Sequence, residues 1–144
     1  MAEPLTELPV DFLCRVEFDT SSTPVVFIRG GPEGTRVRVS ATSGRFEGPR
    51  LRGEVVPPGG DWATAAADGS SRVDGRTLWR TDDGAEIVVT YNGVGVTGND
   101  SCKLRTAPRF QTGDDRYAWL NLVQAVGRGR MEPPGVVYDL YTLH

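Results

Sequence analysis

Apolar and polar residues alternate along many short stretches of this chain. Between Phe12 and Phe18 every second residue is apolar, while Arg15 and Glu17 occupy positions between the apolar ones. A period of two with one apolar face is typical of a half-buried β-strand. Further strands are predicted at Thr23–Arg29, Thr35–Ala41, Arg50–Val55, Asp61–Ala67, Arg72–Thr81, Ala85–Tyr91, Lys103–Phe110 and Val136–Leu143.

Turn residues separate these stretches. Asp68-Gly69, Asp83-Gly84 and Asn92-Gly93 are pairs that tolerate the backbone of a tight hairpin. Pro57-Pro58-Gly59-Gly60 and Pro133-Pro134-Gly135 should interrupt any strand ladder and form loops. The 144 residues suit a single domain, 1–144, and the many short strands predict an all-β sandwich or barrel.

One segment, Tyr117–Val126, fits two interpretations. It could be a helix with Asp114 or Asp115 as its N-cap and Gly127 just beyond its end. It could equally be a buried strand, and the pattern alone does not decide between the two.

Composition and charge exclude several classes of protein. The net charge of −3 lacks the basic excess of a nucleic-acid binder, and no apolar run is long enough for a membrane helix. The start of the chain lacks the features of a signal peptide, so we expect a cytoplasmic protein. In that compartment Cys14 and Cys102 should stay reduced, although the sequence does not settle whether they ever pair.

The histidine count limits the chemistry. The only histidine, His144, is the last residue, which argues against a Ser–His–Asp mechanism and against a histidine-rich metal site. No phosphate-binding loop or dinucleotide motif is present. We therefore expect neither a metal nor a cofactor, and acid–base chemistry would rest on carboxylates, tyrosines or lysines.

An ordered set of motifs resembles a known family. The motifs are Gly44–Val55, Asp61-Trp62, Asp74-Gly75-Arg76, Arg105–Thr112, Tyr117–Asn121 and Gly135–Tyr141, and together they cover nearly the whole chain. The set is similar to the family known as domain of unknown function 3237. The resemblance implies a closed antiparallel β-barrel, calycin/lipocalin-like or up-and-down, with a central pocket. It also implies that Tyr117–Val126 is a strand, and it associates some relatives with secondary metabolism.

Three charged residues are the catalytic candidates. Asp61 lies beside Trp62, and a carboxyl group shielded by an indole would have a raised pKa suited to proton transfer. Its alternative role is to cap a bend. Asp74 and Arg76 share one strand face and could form a buried ion pair that stabilises developing negative charge. Alternation favours a solvated outer face for both, whereas the family motif includes them.

The binding candidates are mostly aromatic. Trp62, Trp79 and Trp119 could form the walls of a pocket, and Tyr117 and Tyr138 could add hydroxyl groups. The simpler interpretation is that these rings fill the core. The remaining substrate-binding candidates are Asn121, Arg38 and Phe46.

These features favour an enzyme of natural-product biosynthesis. It would be a cofactor-free cyclase or isomerase that acts on a hydrophobic, oxygenated small molecule of polyketide-like or phenolic type. The rival hypothesis is a lipocalin-like protein that binds an apolar molecule without changing it, and a third is a filled barrel with a structural role. We expect a small-molecule substrate and no nucleic-acid or membrane partner. The sequence is also compatible with a homodimer.

Overall fold

The computed structural model describes all 144 residues and contains eleven strands and one short helix. The helix is a 3-10 helix at Asp115–Leu122. The strands are β1 (Val10–Asp19), β2 (Val26–Gly31), β3 (Gly34–Ser40), β4 (Ser43–Glu47), β5 (Arg52–Ala65), β6 (Ser70–Thr81), β7 (Glu86–Thr97), β8 (Cys102–Thr106), β9 (Arg109–Gln111), β10 (Ala125–Glu132) and β11 (Gly135–Leu143).

Eight of these strands close into an antiparallel barrel. Their order around the barrel is β5-β4-β1-β11-β10-β8-β7-β6, and pairing of β6 with β5 completes the circle. Strands β3 and β2 extend the sheet from the second half of β5, and the short β9 pairs with β7. The predicted all-β closed antiparallel barrel is confirmed.

Alternation along each strand decides what faces the interior. In β6 the side chains of Val73, Thr77 and Trp79 are buried, whereas Asp74 and Arg76 are exposed on the outer face. Residues directly opposite each other on paired strands lie on the same face of the sheet. The register of β5, β6 and β7 therefore extends this division into an inner and an outer face around the barrel.

Aromatic side chains form the centre of the core. The ring of Phe46 stacks on Trp79 with centroids 4.4 Å apart, and Phe110 meets the same indole edge-on. The indole N–H of Trp79 donates to the hydroxyl of Thr77 at 3.1 Å, so its polar atom is satisfied inside the barrel. Phe46 and Trp79 are almost fully buried and act as core residues.

The segment after β9 is helical, so the strand that the family resemblance implied for Tyr117–Val126 is wrong. Asp114 caps the helix, because its carboxylate accepts a hydrogen bond from the backbone N–H of Arg116 at 2.9 Å. The helix ends at Leu122, and strand β10 starts at Ala125. Leu120 is fully buried, so the helix contributes to the core at this end of the barrel. With eight residues, it is too short to cross a membrane.

The predicted turns are partly confirmed. Gly69 and Gly84 have φ angles of 86° and 94° and lie in hairpin turns. Asn92-Gly93 is not a turn but part of β7, where a side chain at Gly93 would overlap the backbone of Arg105. Pro57-Pro58-Gly59-Gly60 is not a separate loop either; it forms an irregular stretch inside β5, with a register shift between Val56 and Gly60. Both cysteines are free thiols.

Candidate functional site

The register of three strands brings Asp61, Gly75 and Tyr91 together inside the barrel. Asp61 in β5 is opposite Gly75 in β6, and Gly75 is opposite Tyr91 in β7. The hydroxyl of Tyr91 donates a hydrogen bond to Oδ1 of Asp61. A β-carbon at Gly75 would overlap both the Tyr91 ring and the Asp61 carboxylate, so the glycine provides the space for this pair.

Burial makes Asp61 a weaker acid than an exposed aspartate. Part of the residue borders a groove on the outer face, but its carboxyl group is enclosed. The loss of water around the carboxylate raises its pKa to about 6, and nearby Asp74 raises it further, whereas the hydrogen bond from Tyr91 opposes the shift. The pKa of Tyr91 is raised well above its usual value by burial and by the adjacent carboxylate. Asp61 can therefore exchange a proton near neutral pH, while Tyr91 stays protonated.

Tyr138 adds a second phenol to this site. Its ring lies against Gly129, directly opposite on β10, and is 6.4 Å from the Tyr91 ring. Its hydroxyl is buried and has no hydrogen-bond partner. An unpaired buried hydroxyl lowers the stability of the folded protein. This hydroxyl is therefore free to donate or accept a hydrogen bond with a ligand beside Asp61. Burial and the nearby Asp61 raise the pKa of Tyr138, which keeps the hydroxyl protonated.

The barrel interior holds two small voids around these residues. One, of about 20 Å³, is lined by Asp61, Tyr91 and Tyr138 together with Thr20 and Val136. The other, of about 10 Å³, lies deeper between Tyr91, Tyr138 and Trp79. Each void has room for roughly one water molecule. The expected central pocket is thus present only as these two voids, and aromatic and aliphatic side chains fill the rest of the interior.

Four of the candidate residues line a different space, on the outer face of the barrel. Trp62 and Asp74 are opposite each other on β5 and β6, and Arg38 is opposite Trp62 on β3. Together with Arg76 they border an open groove of about 670 Å³ beside the irregular part of β5. Asp74 and Arg76 therefore do not face the interior, and they form no ion pair with each other.

The last three candidates lie on the 3-10 helix and contact residues outside the interior site: Tyr117, Trp119 and Asn121. The hydroxyl of Tyr117 donates to the carboxylate of Asp83 at 2.9 Å. The Arg50 guanidinium stacks 3.8 Å above the ring of Trp119. Asn121 accepts a hydrogen bond from the backbone N–H of Thr112. The structure brings none of these three side chains to Asp61.

Sequence reasoning missed two residues of the interior site, Tyr91 and Gly75. Tyr91 closes the predicted strand Ala85–Tyr91, and it shares its face with Ile87 and Val89. The alternation could therefore have placed the Tyr91 phenol inside the barrel. Gly75 lies between two charged residues in the motif Asp74-Gly75-Arg76, and no local pattern indicates that a glycine there leaves space for other side chains.

Substitution of Gly75 by alanine is expected to destabilise the protein by about 1–3 kcal/mol, because the added methyl group would overlap the Tyr91 ring and the Asp61 carboxylate. Urea denaturation measures the change. Gly113, around which there is open space, supplies the control Gly113→Ala. Equal stabilities of the two variants would contradict the close packing at Gly75.

Comparison with known proteins places the chain in a family. Residues 7–143 match the family described as protein of unknown function (DUF3237). The chain belongs to this family. A UPF0311 protein of Clostridium acetobutylicum is 26% identical over 115 residues, which cover 70% of this chain and 73% of the relative.

Solved structures of similar proteins have the same fold. A β-barrel-like protein from Acinetobacter baumannii superposes with a TM-score of 0.86 and 27% identity, covering 98% of this chain and all of the other. An enzyme from Penicillium herquei superposes with a TM-score of 0.77 at 24% identity, and both chains are covered completely.

One relative of this DUF3237 protein has a named activity. The hydroalkoxylation enzyme phnH of Penicillium herquei is 36% identical over 86 residues. The matched part covers 60% of this chain and 52% of that enzyme. The chain is thus similar, over part of its length, to an enzyme as well as to proteins without a named activity.

Proposed function

We propose that this DUF3237 protein is a cofactor-free enzyme that closes a cyclic ether by adding a hydroxyl group across an alkene of the same molecule. The observation that carries the proposal is the enclosed Asp61 carboxyl group, with a pKa of about 6, beside the unpaired hydroxyl of Tyr138. The named activity of the Penicillium relative, hydroalkoxylation, supports the reaction class. The proposal refines the general cyclase or isomerase expected from the sequence.

The reaction needs one proton donor and one proton acceptor, and Asp61 can serve as both. Its neutral carboxyl group donates a proton to one alkene carbon, so the π bond breaks and a C–H bond forms. The substrate hydroxyl attacks the other carbon, a C–O bond forms, and the hydroxyl proton returns to the Asp61 carboxylate. Substrate and product are isomers, so the step requires no oxidant or reductant.

The surroundings of Asp61 suit a developing positive charge. The buried residues include no lysine or arginine, and the rings of Trp79, Tyr91 and Tyr138 line the interior beside the voids. Aromatic faces attract cations, whereas they give no help to an anion. A role for Arg76 in stabilising negative charge, as the sequence suggested, does not fit its position on the outer face.

The substrate would be a largely apolar phenol or alcohol that carries an alkene. Tyr138 would donate a hydrogen bond to a substrate oxygen, and Tyr91 would hold the Asp61 carboxyl group in place. The larger void is nearest the barrel end where β1 stops and β11 starts, at Thr20 and Val136. Because this void holds about one water, substrate binding requires side chains around it to move, and Thr20, in the irregular segment 20–25 that follows β1, is one of those that line it.

The experiment that tests the function is incubation of the protein with alkenyl phenols in heavy water. The proposal expects a cyclic ether with one deuterium on the carbon that received the proton. Recovery of every phenol unchanged, although the phenols raise the melting temperature, would contradict catalysis and favour the lipocalin-like alternative.

Replacement of Tyr138 by phenylalanine should have opposite effects on activity and stability. We expect kcat/KM to fall by about tenfold, the value of one hydrogen bond to the substrate, while stability stays equal or rises because an unpaired buried hydroxyl is removed. Turnover assays and thermal denaturation measure the two effects. Tyr141→Phe, on the same strand but outside the voids, is the matched control, and a loss of stability in Tyr138→Phe would show that its hydroxyl has a partner.

A further inference from the structure

The outer-face groove contains two arginines without partners. Seven of the fifteen arginines form ion pairs with nearby carboxylates: Arg15, Arg36, Arg45, Arg52, Arg80, Arg116 and Arg130. Arg38 and Arg76, which line the groove, form none, although Asp74 borders the same space. The Nε–H of Arg38 is buried and has no acceptor. A buried charged donor without an acceptor lowers the stability of the folded protein, so an anionic ligand that accepted this hydrogen bond would be stabilising.

The groove also has an aromatic wall. Trp62 is half exposed, and its indole takes part in neither a ring stack nor a cation–π contact with another side chain. Arg38 and Asp74 flank it on the neighbouring strands β3 and β6. Strands two apart in a sheet are separated by about 10 Å, so the backbones of Arg38 and Asp74 lie about that far apart on either side of Trp62.

Gly60 opens the floor of the groove beside Trp62. It is opposite Ser40 on β3 and Arg76 on β6, and it carries no side chain between them. The volume of about 670 Å³ falls within the usual range for small-molecule sites, which is roughly 300–1,000 Å³. The groove is thus large enough for a two-ring ligand lying on the indole.

We propose that this groove binds a planar, hydroxylated aromatic carboxylate. The carboxylate is held by Arg38 with support from Arg76, the rings stack on Trp62, and a ring hydroxyl donates to Asp74. The inference is independent of the reaction proposed for the barrel interior, because these four side chains lie on the opposite face of the sheet from Tyr91 and Tyr138.

Calorimetric titration of the full chain with hydroxynaphthoic acid tests the site. We expect saturable binding of one molecule, weaker in high salt and at least tenfold weaker in Arg38→Gln and in Trp62→Ala. The matched control is Arg72→Gln, which removes an exposed arginine from the same face of β6 outside the groove and should leave the affinity unchanged. Circular dichroism checks that each variant is folded, and Arg76→Gln, at an exposed position, gives a second variant should Arg38→Gln unfold.

Further ligands distinguish the alternatives. Naphthol, which lacks the carboxylate, should bind at least tenfold more weakly than hydroxynaphthoic acid, and sulfate alone should compete poorly. No binding, equal binding of naphthol, or full affinity in Arg38→Gln and Arg76→Gln would overturn the proposal, as would tight binding of duplex DNA that displaces the acid. Tyr138→Phe, which changes the interior site and lies outside the groove, should leave this affinity unchanged, so failure here and failure of the proposed enzyme activity are distinguishable.

Discussion

Asp61→Asn should lower the turnover of an alkenyl phenol by about 100- to 10,000-fold, the usual contribution of a general acid–base group. Asparagine keeps the shape of the side chain and can still accept the hydrogen bond from Tyr91, but it has no proton to donate to the alkene carbon. The change therefore removes the chemistry and leaves the packing in place. Product formation followed by mass spectrometry measures the loss.

The pH profile of turnover by the wild-type protein provides an independent readout. In the proposed reaction the proton donor is the neutral carboxyl group of Asp61, whose pKa is about 6, so kcat/KM should fall tenfold per pH unit above that value. Asp100→Asn is the matched control, since Asp100 is an exposed residue in the turn between β7 and β8. Turnover in Asp61→Asn equal to that of Asp100→Asn would remove Asp61 from the mechanism.

Much of the barrel could be predicted because alternation is a local property. The pattern along β6 separates Val73, Thr77 and Trp79 from Asp74 and Arg76, and the structure places the two sets on opposite faces. Alternation alone favoured an outer position for Asp74 and Arg76. The family resemblance, which contains both residues in a motif, carried no information about the direction of their side chains.

The position of Asp61 was harder to predict because of the irregular stretch before it. Between Val56 and Gly60, β5 advances four residues where β6 advances two. The excess is even, so Asp61 keeps the inward direction of Val55 despite two prolines and two glycines in between. The sequence pattern does not indicate how many residues such an irregularity adds, and a single one would have turned Asp61 outward.

The helix at Asp115–Leu122 was hard to predict from the sequence for a different reason. Its sequence suits both a helix and a strand, and the choice depends on contacts with distant residues, such as the bond between Tyr117 and Asp83. Those contacts join residues far apart in the sequence, so a local pattern does not reveal them. The interior voids likewise depend on how the rings of Tyr91 and Tyr138 lie against Gly75 and Gly129, a cross-strand arrangement that no local pattern shows.

The stability of the protein should depend on pH through Asp61, and Asp61→Asn should reveal it. The folded-state pKa of Asp61 is about 6, above the unfolded value of about 3.9. Between these two pH values the folded protein therefore keeps a proton on Asp61 that the unfolded chain has lost. The stability contributed by Asp61 is therefore fully present below about pH 4 and is lost as the pH rises through 6. A shift of about two pH units corresponds to a loss of about 3 kcal/mol.

Other carboxylates titrate in the opposite direction, since hydrogen bonds from Arg45 and Arg116 lower the pKa values of Asp82 and Asp114. The difference between wild type and variant cancels these contributions. Measured by urea denaturation, Asp61→Asn should gain about 2 kcal/mol relative to wild type between pH 4 and pH 7. A difference that stays constant over this pH range would mean that the Asp61 carboxylate is solvated in the folded protein. In that case the carboxyl group would be fully ionised at neutral pH and could not serve as the proton donor.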